Sequence, residues 1–182
     1  RGHDVVIFDG LASSNSIEEA VDGILLQNPG LIGVSVLGRA HVDAKEMARR
    51  IKKKSNVPIV FGGPYCSYYP AEAIQGCREV DFLIYGEGEL ILPLLIEAIL
   101  GQRSFQSVPQ LYFRDKSGRV IVNEQEFSET NLDVIPFPAW HLFDMKLYPP
   151  GLCCLVTSRG CSYGKCLVCT RTEKDLEPGF TR

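Results

Sequence analysis

Three cysteines near the end of the sequence have the residue type and spacing of a metal site. Cys161, Cys166 and Cys169 form a C-x4-C-x2-C pattern within residues 158–169, a glycine-containing segment that we call the cysteine loop. Thiolate sulfur is a soft ligand that suits zinc or an iron–sulfur cluster. The surrounding residues, RGCSYGKC, are too polar to belong to an ordinary hydrophobic core. The spacing therefore predicts a metal centre in this loop.

Two metal centres are compatible with these cysteines. A structural zinc ion needs four ligands, so a fourth would have to come from Cys153, Cys154 or His141. A four-iron cluster held by three cysteines would instead leave one iron open to a small ligand. The first alternative is a structural site, and the second is a functional one.

A second candidate site lies where the predicted strands end, because each ending is rich in small or flexible residues. Glycine allows a backbone to approach a ligand closely, so several such endings on one sheet edge predict a broad, shallow site for a large ligand. Ordinary turn formation is the alternative explanation. The endings are Asp9-Gly10, Ser35 with Gly38, Gly62-Gly63-Pro64 and Gly86-Glu87-Gly88-Glu89.

The elements that must position these residues alternate between strand and helix. Continuous apolar runs such as LIGVSVLG, VPIVFGG and DFLIYG are typical of strands covered on both faces. Between them lie helical patterns, the first of which begins with a capping box formed by Ser16 and Glu19. The order predicts an α/β fold with a doubly wound parallel sheet, flavodoxin-like or Rossmann-like, beginning with a strand at DVVIFDG.

The pattern changes after about residue 100. QLYFRDKSGRVIVNE predicts a β-hairpin, and the proline-containing segment that follows it predicts an interdomain connector. LCCLVTS then predicts one more buried strand directly before the cysteine loop. We therefore expect an α/β domain at residues 1–108, a hairpin and connector at 109–150, and the start of a second domain at 151–182.

Composition limits the functional classes. The chain has 182 residues, of which 45% are hydrophobic and 23% charged, and its net charge of −3 predicts no general attraction to nucleic acid or membranes. We interpret the basic run at 49–54 as a solvated last helical turn. The seven cysteines are odd in number and clustered, which favours a reducing cytoplasm over a secreted disulfide framework.

These segments together resemble one family. The order of FGGPYCSYYPAEAI, VDFLIYGEGE, hairpin, LDVIPFPAW and TSRGCSYGKCLVC is similar to that of the cobalamin-binding-domain radical S-adenosylmethionine (radical SAM) enzymes. The resemblance covers nearly the whole chain. It implies a fragment, with a further strand and helix before Arg1 and the rest of a radical SAM (β/α) barrel after Arg182.

The resemblance also implies cofactors and site residues. Cobalamin would lie against Ser35, Val36, Leu37, Gly62, Gly63, Gly86, Glu87 and Gly88. A [4Fe-4S] cluster would be held by Cys161, Cys166 and Cys169, with S-adenosylmethionine on its open iron beside Tyr163 and Val168. Reductive cleavage of S-adenosylmethionine would then yield a 5'-deoxyadenosyl radical for methylation or another radical transformation of a small molecule. An electron donor such as flavodoxin or ferredoxin is implied as a partner.

The sequence departs from the family pattern in three ways. The commoner cysteine spacing is C-x3-C-x2-C, so this loop has one extra residue. The position before the last cysteine, often aromatic, is Val168. The D-x-H-x-x-G motif that supplies a lower cobalt ligand in some cobalamin proteins is absent, so we expect cobalt to lack a protein histidine ligand. A corrinoid-binding carrier or sensor with a structural zinc in the cysteine loop remains the alternative hypothesis.

Overall fold

The chain forms two compact units, residues 21–128 and residues 1–20 with 129–182. The structure is a computed structural model. It describes residues 2–10, 12–13, 15–125, 127, 131–151, 155–161, 163 and 166.

The larger unit is built around a five-stranded sheet in the order β1-β2-β3-β4-β5. The first three strands are parallel, and the last two are antiparallel. The strands are β1 (Ile32–Ser35), β2 (Ile59–Gly62), β3 (Phe82–Ile84), β4 (Leu111–Arg114) and β5 (Val120–Asn123). The predicted α/β class is confirmed, and the sheet is mixed.

In the described part of the chain, five α-helices accompany the sheet: α1 (Ile17–Leu26), α2 (His41–Lys54), α3 (Pro64–Tyr68), α4 (Pro70–Gln75) and α5 (Gly88–Ile99). The predicted capping box is confirmed at the start of α1, where the Glu19 carboxylate accepts from the Ser16 backbone N–H at 2.8 Å. The Glu19 N–H in turn donates to Ser16 Oγ at 3.3 Å. These contacts pair N–H groups that the first helical turn leaves without partners.

The core lies on both faces of the central strands. On one face, Val60, Phe82 and Phe113 pack with Ile91 and Leu95 of α5. Alternation along the strands points the neighbouring residues Ile59, Phe61 and Leu83 to the opposite face, and these are buried as well. Both faces of β2 and β3 are therefore covered, as the apolar runs VPIVFGG and DFLIYG predicted. In β1, from the run LIGVSVLG, only Ile32 is buried.

Hydrogen bonds and ion pairs stabilise the edge of the sheet where the parallel strands begin. The Asp81 carboxylate, just before β3, accepts from the Ile59 N–H of β2 at 2.8 Å. It also pairs with Lys52 Nζ of α2 at 2.8 Å. Lys54 of the same basic turn pairs with Asp22 at 2.7 Å. The basic run therefore forms the last turn of α2, and two of its lysines are bound within the fold.

The predicted hairpin belongs to the sheet instead of standing apart from it. Strand β4 pairs antiparallel with β3, with Phe82 opposite Phe113 and Ile84 opposite Leu111. The boundary expected between residues 108 and 109 therefore falls inside one sheet. The local sequence predicted the hairpin but not the strand beside which it lies, because the pairing of β4 with β3 joins residues about 30 positions apart.

Two predicted strands are not found among the described residues. Residues 2–9 form no strand, and Val5 and Val6 are 56% and 65% exposed. An apolar run becomes a strand only where a partner receives its backbone hydrogen bonds, and the strands the structure describes pair only with one another. Likewise 155–158, the described part of the predicted LCCLVTS strand, are irregular, while Leu152, Cys153 and Cys154 lie outside the described residues.

The smaller unit is mostly irregular where it is described. Asp9 accepts a hydrogen bond from the Tyr148 hydroxyl at 2.6 Å, which joins its N-terminal segment to the proline-containing connector. Trp140 packs against Phe143, with ring centroids 5.5 Å apart. Short 3₁₀ turns occur in both units: Gly38–Ala40, Phe105–Ser107, Leu132–Val134, Trp140–Leu142 and Met145–Leu147. Within the described part of the chain, no helix is long and apolar enough to cross a membrane.

We expect the two core cysteines to resist thiol reagents in the folded protein. Burial raises the pKa of Cys66 to about 12, and burial with a hydrogen bond to Glu79 raises that of Cys77 to about 11. Because the thiolate is the reactive form, both should stay unmodified at pH 8, whereas the exposed Cys166 reacts in protein prepared without metal. Mass spectrometry after iodoacetamide treatment, with urea-unfolded protein as control, checks this. Labelling of Cys66 as fast as that of Cys166 would contradict it.

Candidate functional site

The endings of the three parallel strands lie together along one edge of the sheet, which we call the rim. Ser35, the last residue of β1, pairs with Gly62, the last residue of β2. Phe61 pairs in turn with Leu83, so β3 ends beside β2 and continues into Gly86. The structure thus brings together the endings that the sequence singled out after these three strands.

Gly63 and Val36 shape the rim from within. Gly63 has φ 91°, and a Cβ there would stand 3.0 Å from both Ser35 Oγ and the Val36 nitrogen. The Val36 N–H donates to the Gly62 carbonyl at 2.7 Å, and the Val36 carbonyl accepts from the Tyr65 N–H at 3.1 Å. The Val36 side chain is fully buried. These two residues therefore hold adjacent strand endings in close contact and present no side chain at the surface.

Other rim positions are open. The Leu37 side chain is 59% exposed. A Cβ at Gly38 or Gly88 would meet no atom within 4 Å, and one at Gly62 would meet only the Ile84 carbonyl oxygen, at 3.8 Å. Because few side chains rise from this edge, it offers a low surface on which a large flat ligand can rest.

Gln110 also lies at the rim, although sequence analysis did not select it. It directly precedes β4, and its carbonyl accepts from the Tyr85 N–H at 3.3 Å. Its φ is 52°, in the left-handed region that costs a non-glycine residue roughly 1 kcal/mol. Its side-chain oxygen is buried and has no hydrogen-bond partner among the described residues. Pro109 marks a turn in the sequence, but nothing local indicates that the turn reaches Gly86.

A stack of aromatic rings flanks the rim and was also not predicted. The His41 ring lies parallel to the Tyr65 ring, with centroids 4.6 Å apart, and His41 Nδ1 lies 2.7 Å from the Gly38 carbonyl. Burial, followed by the hydrogen bond from the Tyr65 hydroxyl to Glu72, raises the pKa of Tyr65 to about 12. Tyr65 is thus neutral at physiological pH, and the stack fixes the first turn of α2 against α3.

The remaining rim residue of the prediction, Glu87, is half-buried and precedes the first residue of α5. Its backbone is extended, with φ −91°, as is usual at the start of a helix. Gly86 before it has φ 76°, and its N–H donates to Ser67 Oγ at 2.9 Å. The third strand ending is therefore tied to α3 through a backbone that only glycine adopts easily.

The cysteine loop is described in part. Cys161 is half-buried, Cys166 is exposed and Tyr163 is 63% exposed. Val168 and Cys169 lie outside the described residues. Among the residues that are described, no three His, Cys, Asp or Glu side chains are grouped closely enough to hold a metal ion. The predicted metal centre, which needs Cys169, therefore stays a prediction.

Comparison with known proteins finds similarity to a curated methyltransferase and to solved structures of the same fold. It is 30% identical over 174 residues to an uncharacterized methyltransferase, PH0819, from Pyrococcus horikoshii, covering 92% of this chain and 37% of the relative. Its fold matches OxsB, a cobalamin-dependent S-adenosylmethionine radical enzyme solved with aqua-cobalamin and S-adenosylmethionine bound. That match has a TM-score of 0.72 and 24% identity, and it covers 89% of this chain and 22% of OxsB.

A second solved structure has the same fold. It is TsrM, a radical S-adenosylmethionine methyltransferase from Kitasatospora setae with cobalamin and a [4Fe-4S] cluster bound. The TM-score is 0.59 at 20% identity, over 71% of this chain and 25% of that one. This chain thus spans between a fifth and two fifths of the length of these relatives.

A family model assigns the larger part of the chain. The model of the B12-binding domain matches residues 1–96, which include all three strand endings of the rim. The resemblance seen in the sequence, to the cobalamin-binding domain of radical SAM enzymes, is confirmed by this match and by the shared fold. Since the match covers more than half of its residues, the chain belongs to the family of B12-binding domains.

Proposed function

We propose that the rim binds cobalamin and that the protein containing this chain is a radical SAM enzyme. Its reaction would be the methylation, or another radical transformation, of a small molecule. The observation that carries the proposal is the coincidence of the B12-binding match with an open, glycine-lined rim at the strand endings.

The rim residues fit a corrinoid. A corrin ring is broad and nearly flat, so it needs a surface without projecting side chains. Gly38, Gly62 and Gly88 supply that surface, because a Cβ at each would stand clear of close contacts. Ser35 and Leu37 are exposed beside them and could contribute a hydroxyl and an apolar contact. Gly63 and Gly86 would keep the strand endings in position beneath the ring.

Bound cobalamin would supply a cobalt atom able to carry a methyl group. The protein's part is to hold the ring at the rim, orient it and exclude water from the covered face. The rigid backbone pairing of Val36 and the stack of His41 on Tyr65 support that role, because they pre-organise the surface before binding.

The cysteine loop would hold the second cofactor. We assign Cys161, Cys166 and Cys169 as ligands of a [4Fe-4S] cluster, and place Tyr163 and Val168 beside S-adenosylmethionine on its open iron. The cluster would supply the electron that cleaves S-adenosylmethionine to methionine and a 5'-deoxyadenosyl radical. The proposal requires a one-electron donor such as flavodoxin or ferredoxin, and a reducing cytoplasm suits both cofactors.

Titration of the full chain with hydroxocobalamin tests the first part of the proposal. The corrin absorption bands should shift and saturate at one cobalamin per chain, because the chain has one rim of this kind among its described strands. The absence of any spectral change, together with the absence of heat in calorimetry, would refute cobalamin binding.

Replacing Cys161, Cys166 and Cys169 together by alanine is expected to abolish iron binding. Three thiolates are the minimum set for an open-iron cluster, and no other cysteine shares their spacing. The measurement is the iron and sulfide content after anaerobic reconstitution of the full chain. The unmodified chain should approach four iron and four sulfide per chain.

The matched control is Cys66→Ala with Cys77→Ala, which removes two buried thiols and should leave the iron content unchanged. A triple variant that still binds iron would refute the assignment. Zinc at one per chain, lost on replacing Cys153 or Cys154, would favour the carrier or sensor with a structural zinc instead.

A further inference from the structure

Gln110 reaches the rim from outside the segment matched by the B12-binding model, which ends at residue 96. Because β4 runs antiparallel to β3, with Ile84 opposite Leu111, the residue before β4 stands beside the residues that follow β3. Its backbone is held on both sides. The Gln110 N–H donates to the Gln125 carbonyl at 3.1 Å, and the Gln110 carbonyl accepts from the Tyr85 N–H. The pairing of the hairpin with β3 therefore positions the Gln110 side chain at the end of β3.

The backbone conformation of Gln110 is one that its residue type disfavours. Among the described residues, Asn28 and Gln110 alone combine positive φ with a side chain. Asn28 follows the end of α1, where asparagine is a common residue in this conformation. Glycine or asparagine adopts positive φ more easily than glutamine does, so the turn before β4 does not by itself explain a glutamine at this position. A disfavoured conformation held by its surroundings is typical of a functional position.

The Gln110 side chain lies against Gly86 and is incompletely bonded. A Cβ at Gly86 would stand 2.8 Å from Gln110 Nε2 and 3.5 Å from Cδ, so the absence of a side chain at Gly86 makes room for the amide. The Oε1 atom is buried and has no hydrogen-bond partner in the part of the chain that the structure describes. Buried polar atoms are nearly always paired, so this amide is expected to gain a partner that the described residues do not supply.

We infer that the Gln110 carboxamide binds a peripheral carboxamide of the corrin ring and sets the ring's orientation on the rim. The edge of cobalamin carries several primary carboxamides, each with both a donor and an acceptor. A glutamine amide offers the same pair, and its terminal torsion is broad enough to turn either atom towards the ligand. The open glycines offer a contact surface that does not select one orientation of the ring, whereas a hydrogen bond from Gln110 does. This inference rests on the proposed binding of cobalamin at the rim.

Hydroxocobalamin titrations of the full chain test the inference with two variants and a matched control. Gln110→Gly removes the amide and suits φ 52°, so it should fold at least as well as the unmodified chain and bind about tenfold more weakly. Gln110→Glu keeps the size but cannot donate, and it should also weaken binding. Gln102→Gly changes an exposed glutamine after α5 and should leave the Kd unchanged.

The outcomes separate this inference from the function on which it rests. If the unmodified chain does not bind hydroxocobalamin, both fall. If it binds and Gln110→Gly binds within twofold of it, Gln110 has no part in recognition, while cobalamin binding stands. Thermal unfolding without ligand confirms that each variant is folded. Should Gln110→Gly unfold early, Gln110→Asn, which tolerates the same backbone but is one methylene shorter, provides the comparison, and unweakened binding by it overturns the inference.

Discussion

Gly38→Leu and Gly88→Leu are each expected to weaken cobalamin binding by about 100-fold or more, equivalent to about 3 kcal/mol. Both glycines lie at the rim, and a Cβ at either would meet no atom within 4 Å. The fold therefore accepts the new side chain, which rises into the space that a flat ring must occupy. The Kd from absorption titration with hydroxocobalamin measures the effect.

Gly30→Leu is the matched control. Gly30 precedes β1, at the opposite end of the strand from the rim, and a Cβ there would also meet nothing within 4 Å. It should bind cobalamin as the unmodified chain does. Gly63 is a poor choice for this test, because its φ of 91° and its contacts with Ser35 and Val36 would make any side chain disturb the fold. Full-strength binding by both rim variants would show that cobalamin binds elsewhere.

Arg114→Ala is expected to lower the free energy of unfolding by about 3 kcal/mol. The Arg114 guanidinium donates to four backbone carbonyls, those of Ile74 at 2.5 Å, Val80 at 3.1 Å, and Cys77 and Gly118 at 3.2 Å. It thereby ties β4 to the segment between α4 and β3. Removing it leaves part-buried carbonyl groups without a charged donor. Urea unfolding followed by circular dichroism measures the loss.

Arg114→Lys should recover only part of that loss, because an ammonium group cannot reach four carbonyls with the geometry of a planar guanidinium. Arg119→Lys, on the same hairpin, is the control. The Arg119 side chain is 75% exposed and pairs with Asp115 at the surface. The urea midpoint of the Arg119→Lys variant should therefore match that of the unmodified chain. Equal midpoints for Arg114→Ala and the unmodified chain would show that these hydrogen bonds add nothing to stability.

The local parts of the fold were predictable because their causes lie close together in the sequence. Ser16 and Glu19 form the capping box three residues apart, and the Asp115 side chain closes the hairpin turn by accepting from the Ser117 and Arg119 N–H groups. The strand endings could be placed on one edge because parallel strands share their direction. Residues 2–9 were not predictable in this way, since a strand depends on a partner that an apolar run does not specify.

The candidate site was predictable in its position but not in its detail. Glycine-rich endings indicated the rim, yet Val36 proved to be a core residue whose backbone groups are both paired. The ring stack of His41 on Tyr65 joins the first turns of two helices, α2 and α3, at positions 24 residues apart. No pattern in either helix indicates that these rings meet.

The sequence by itself determined the strand–helix order, the glycine endings and the thiolate spacing, because these follow from residue type and short-range periodicity. Only the tertiary structure decided that the hairpin extends the sheet beyond β3 and so delivers Gln110 to Gly86. It also decided which rim glycines are open and which are filled by neighbouring strand endings. Both depend on pairing between distant segments, whose geometry is set by the packed sheet and not by any local run of residues.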